Sequence, residues 1–132
     1  MNLFDIFRKK SEPPKPPSKW DLMWEMWAEG KIASPIADMM SYDSEVNNGG
    51  HAQYFFNTAN CSDLDAAVRR ILPALPEPLK GNLARAYEAF ASQPEIDDDS
   101  NDDLFSECDD VFYENEQLLL DILEKHADGL TL

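Results

Sequence analysis

A chain of 132 residues, 43% of them hydrophobic, is long enough to fold as one domain around its own core, and two cysteines are too few to supply a disulfide scaffold. Its formal net charge of −15 sets up a field that repels DNA, RNA and anionic lipid and attracts basic partners, so direct nucleic-acid binding is excluded as a first expectation. No apolar run is long enough to span a bilayer, and the start does not resemble a secretory signal, because Asp5 interrupts its apolar residues and the basic cluster follows them; a cytoplasmic protein with reduced thiols is expected.

The charge divides the chain. Residues 1–19 hold five basic side chains (Arg8, Lys9, Lys10, Lys15, Lys19) and two acidic ones, which leaves six basic and 24 acidic residues, a net of −18, for positions 20–132. Residues 1–19 therefore form a basic leader whose Pro13-Pro14 and Pro16-Pro17 pairs favour an extended linker over a helix. Residues 20–132 form the acidic folded domain.

Within that domain the apolar period is helical throughout, and no β-branched alternation suggests a strand. Trp20, Met23, Trp24 and Trp27 make one stripe, with Gly30 placed to end the helix. Ser34 and Pro35 read as the N-cap and first position of a second helix running through Ile36, Met39, Met40 and Tyr42 toward Glu45. There the chain meets Asn47-Asn48-Gly49-Gly50, where adjacent glycines suit a turn with positive φ, so one helix stops and another begins. Beyond the turn, Gln53 and Asn57 share a helix face, flanked by Tyr54 and Phe55. Amides among aromatics need partners. Two readings stay open: a hydrogen-bond network bracing a helix corner, or a pocket in which Glu45, Asn48, Gln53 and Asn57 converge on a small molecule or peptide.

Asp63 offers a cap for a helix carrying Leu64, Val68, Ile71 and Leu72, and Pro78 can open another through Leu79, Leu83, Ala86, Tyr87 and Phe90. After an acidic loop from Glu95 to Asp103, a last helix of about 25 residues, roughly 37 Å, carries Leu104, Phe105, Cys108, Val111, Phe112, Asn115, Leu118, Leu119, Ile122 and His126 on its apolar stripe. Asn115 is the one amide in the stripe and is placed to pair with the amides of the Gly-Gly corner. The fold class is all-α, with about six helices.

The corner Glu45-x-x-Asn48-Gly49-Gly50-x-x-Gln53-Tyr54-Phe55-x-Asn57 resembles the signature of a bacterial all-helical domain family named after DNA mimic proteins, once catalogued only as a domain of unknown function. The run from Leu104 to Tyr113 resembles that family's closing helix, where an acidic residue precedes a Phe-Tyr pair. His51 departs from the pattern, which leads one to expect an apolar or aromatic residue there. The resemblance implies a compact helical domain and a protein that imitates nucleic acid to occupy a DNA-binding partner.

The chain's own carboxylates bear on that implication. Asp103, Glu107, Asp110, Glu114 and Asp121 fall on one side of the last helix at intervals of four, three, four and seven residues. Steps of three or four residues span about 4.5 to 6 Å, against about 3.4 Å between phosphates of one strand, so a mimic must also recruit the loop acids Asp97, Asp98, Asp99 and Asp102, with Asp38, Asp43 or Glu45 as further candidates. A solvated helix face is the plainer alternative. The loop lacks the Gly and Glu of a calcium-binding hand, and two isolated histidines make no zinc set, so neither metal nor cofactor is expected. Cys61 and His51 are ten residues apart with nothing local to make them a nucleophile pair, and no catalytic motif stands out. The expected function is a non-enzymatic acidic interaction domain whose partner is a basic protein.

Overall fold

The computed structural model describes residues 18–95 and 98–131, so residues 1–17, with most of the basic leader, and Asp97 lie outside the described residues. Helix α1 spans Lys19–Ala28; the Ser18 hydroxyl caps it by accepting from the Asp21 amide at 3.1 Å, and Gly30, at φ 74°, ends it in the left-handed region. Helix α2 spans Ile36–Cys61. It begins one residue later than the sequence suggests: Pro35 itself occupies the N-cap, and no side chain caps that end. Asp63 caps α3, Leu64–Ile71, by accepting from Ala66 N at 3.0 Å, and α3 runs into a 3-10 turn at Leu72–Ala74. Helices α4, Leu79–Ala91, and α5, Asp102–Asp128, follow. Among the described residues the protein is all-α, with five helices and one 3-10 turn, and α5 is the longest.

The principal packing is α2 against α5, with α4 and α1 laid on α5 and α3 on α2. Phe55 sits at the centre of an aromatic cluster with Tyr87, Phe90 and Phe105, while Tyr42 meets Tyr54 and Phe112 edge-on. The tryptophan stripe packs edge to face on itself and lies half-buried against the core, with the Trp27 indole donating to Ser41 Oγ at 3.2 Å. Cys108 is buried as expected, and Cys61 is exposed.

Helix α2 is two helical segments joined at a kink, because Gly49 (φ −160°, ψ 19°) and Gly50 (φ 80°, ψ −178°) leave helical geometry. Gly50 occupies a region of backbone space that is essentially closed to side chains, and a Cβ there would stand 2.4 Å from Asp109 Oδ2 on α5. The glycine thus serves both the turn and the close approach of α5. Gly50→Ala should therefore lower the unfolding free energy by about 1–3 kcal/mol or more, read from the midpoint of a denaturant titration, whereas an unchanged midpoint would show that the kink tolerates a side chain.

Candidate functional site

The kink turns the His51 backbone N–H toward α5, where it donates to Asp109 Oδ1 at 2.8 Å. His51 Nδ1 donates to the same oxygen at 2.6 Å, since a carboxylate only accepts, and in that tautomer Nε2 accepts from the Tyr42 hydroxyl at 2.6 Å. Burial pushes the Tyr42 phenol well above its ordinary range, consistent with a hydroxyl that stays a donor. His51 and Tyr42 are both 0% exposed, so this line of hydrogen bonds joins α2 to α5 with its ring and phenol sealed from solvent. The His51 ring also lies among Tyr42, Phe55 and Phe112. It fills the aromatic position the family pattern leads one to expect, and adds two hydrogen bonds to it.

The amide cluster forms on the other side of the kink. Glu45 Oε2 accepts from Gln53 Nε2 and from Asn57 Nδ2, both at 2.9 Å. Gly49 makes room for this, since a Cβ on it would lie 2.0 Å from Gln53 Oε1. Three of the four expected residues converge. Asn48 does not: it is exposed, and the neighbouring Asn47 is the amide that reaches α5, donating to Glu116 Oε2 at 2.6 Å and to the Asp43 carbonyl at 2.8 Å. Nor does Asn115 join the corner, because its amide donates to Val111 O one turn back on α5 at 2.9 Å. Tyr113 makes the crossing instead, its hydroxyl donating to Val46 O at 2.9 Å.

Asp43, 6% exposed, faces Glu116. Burial, and then the hydrogen bond and repulsion of the Glu116 carboxylate, push its carboxyl up to about 8 against the opposing donor from Asn47. Asp43 is therefore no part of an acidic surface. Glu45 is half-buried in the amide cluster, and Asp38 holds Arg70 through both oxygens at 2.7 and 3.1 Å. None of the three can extend the carboxylate row, because each is already committed to another residue or, in the case of Asp43, to its proton.

The row itself lies on the outer face of α5, where Asp103, Glu107, Asp110, Glu114 and Asp121 are all exposed. Glu107 is paired with Arg85 of α4 at 2.9 Å, and Asp121 accepts from Gln117 Nε2 at 2.9 Å. Asp103, Asp110 and Glu114 meet no cation among the described residues. At the N-terminal end of α5, Asp98, Asp99 and Asp102 continue the acidity; the Ser100 hydroxyl, and then the Ser100 amide that donates to Asp98 at 2.7 Å, hold the Asp98 carboxyl below the usual range. Asp109 and Glu116, which sequence reasoning passed over, belong to the same helix but to its inner face. The signal for Asp109 was its place four residues after Phe105 and three before Phe112, in phase with the apolar stripe.

A family model described as DMP19-like protein matches residues 34–128, which takes in the corner and all of α5. No curated protein and no solved structure matches the chain.

Two variants separate the inner carboxylates from the outer ones. Asp109→Ala strands two buried N–H donors and should cost about 2–3 kcal/mol of stability, while Asp110→Ala should stay within about 0.5 kcal/mol; equal losses in chemical denaturation would contradict the division. Asp43 gives a pH signature. Unfolded, it titrates near 3.8, so between that value and about 8 the folded chain holds a proton that the unfolded chain has released. The group favours folding at low pH, and that contribution is lost as pH rises to about 8. Asp43→Asn keeps a donor toward Glu116 and cannot ionise, so its melting temperature relative to the native chain should rise between about pH 5 and pH 9; parallel curves would mean that Asp43 is ionised throughout.

Proposed function

The chain belongs to the DMP19-like protein family, a DNA-mimic family, and on that footing we propose that its outer α5 face, with the loop before it, occupies the basic DNA-binding surface of another protein. The observation that carries the reading is charge without compensation. Among the described residues, only Glu107 of the five row carboxylates has a cation beside it, while the other basic side chains that form ion pairs do so elsewhere, Arg70 on Asp38, Arg69 on Asp65 and Lys31 on Glu29.

The dimensions bear on how such a face works. From Asp103 to Asp121 the row spans about 27 Å at 1.5 Å per residue, somewhat under one turn of duplex. Its steps of about 4.5 to 10 Å are coarser than the phosphate repeat, so the helix supplies the line of charge and the acids at its N-terminal end, Glu95, Asp98, Asp99 and Asp102, thicken it. Asp97 belongs to this surface by sequence and lies outside the described residues. A rigid helix holds these carboxylates at fixed spacing, so little ordering cost remains to be met on binding. Charge of this kind sets the rate and selectivity of encounter more than the final affinity.

The partner expected is a basic protein that binds duplex DNA. Immobilised chain should capture it from native lysate at low salt, release it as salt rises, and give it up to added duplex DNA. Capture that neither salt nor duplex DNA disturbs would overturn the proposal.

A further inference from the structure

A cavity of about 230 Å³ opens between α1, α2 and α3, away from the α5 row, and its wall includes Trp27, Asp38, Glu45, Tyr54 and Asn57. Most polar groups of this wall are spent on one another. The Trp27 indole N–H goes to Ser41, Asp38 holds Arg70 with both oxygens, and the Asn57 amide N–H goes to Glu45 Oε2. Two further groups of the wall set what it would bind. The Tyr54 hydroxyl is buried, in a side chain 1% exposed, and has no hydrogen-bond partner. Among the described residues Glu45 has only the neutral amides of Gln53 and Asn57 as partners, through a single oxygen, and no cation balances it.

A buried hydroxyl left without a partner is costly to the fold, and a half-buried carboxylate bonded through one oxygen has spare acceptor capacity on the other. A cation with several N–H donors suits both, because Glu45 brings negative charge with a spare acceptor oxygen and the Tyr54 hydroxyl oxygen can accept. The Trp27 indole in the same wall adds an aromatic surface, which favours a cation further. An anion would meet Glu45 directly. We infer that this cavity is a binding site for an alkyl guanidinium or ammonium group, held by Glu45 and the Tyr54 hydroxyl beside the Trp27 ring. The same chemistry is offered by a free amine and by an arginine or lysine side chain of another protein.

The inference is independent of the α5 surface, and its test uses the full chain. Butylguanidinium, and arginine blocked as its N-acetyl methylamide, would be titrated while amide and indole N–H signals are followed by NMR, with neutral butylurea as the control of matching shape. The expected result is saturable shifts at Trp27, Tyr54 and Asn57, with butylurea at least about tenfold weaker. Tighter binding of the blocked arginine points to a protein side chain as the natural occupant, and tighter binding of butylguanidinium to a free amine. Tyr54→Phe keeps the ring and removes the unpartnered hydroxyl, so the free chain should melt no lower while the cation binds about tenfold more weakly. Glu45→Gln should abolish the preference for cation over urea. Equal binding of butylurea, binding untouched by Tyr54→Phe, or no saturable shift at the cavity overturns the inference.

Discussion

One carboxylate oxygen fixes the arrangement of this domain. Asp109 Oδ1 takes both the backbone and the ring N–H of His51, at a bend that depends on Gly50 having no side chain. That contact sets the register of α5 on α2. At 100° per residue, Tyr113 and Glu116 then lie within about 40° of Asp109 and reach Val46 and Asn47, while Asp103, Glu107, Asp110, Glu114 and Asp121 fall about 100–160° away, toward solvent. The outer row is in this sense a consequence of the inner contact.

The helix thus sorts its carboxylates by phase. Those facing the kink are half-buried acceptors, or, as with Glu116 against Asp43, one of a pair in which burial keeps the second carboxyl protonated well above its ordinary range. Those facing out meet water. A chain this acidic pays for its field in self-repulsion, and holding Asp43 neutral and placing Arg70 and Arg85 against Asp38 and Glu107 limits that cost where helices meet.

Much of the fold was legible because helix caps, glycine stops and the 3.6-residue period are local. Gly30, Asp63 and the break at Gly49 and Gly50 lie where the sequence puts them, and of the stripe on the last helix Phe105, Cys108, Phe112 and Leu119 are buried while Leu118 is exposed at its edge. The site was legible only in part. Asp109 and Asp110 are adjacent and chemically identical, and what separates them is a partner 58 residues away that no local pattern names. For the same reason residue type could say that Asn48 and Asn115 need partners without saying which, and the neighbours Asn47 and Tyr113 made the crossings instead. Asp43 looked like surface charge because nothing nearby in sequence announces that Glu116 and the core close over it.

The two halves of the corner motif also divide in role. Gly50 and His51 face α5 and fix it, while Glu45, Gln53 and Asn57 face the cavity beside Trp27, so a signature that reads as one feature serves two surfaces. The central claim concerns the third surface, the outward row, and the most direct measurement is the slope of log affinity against log salt for the partner that duplex DNA displaces. It would be compared between the native chain and one carrying Asp103→Asn, Asp110→Asn, Glu114→Gln and Asp121→Asn. A shallower slope and weaker binding at an unchanged melting temperature is the result this account requires. The same slope and affinity from both chains would contradict it.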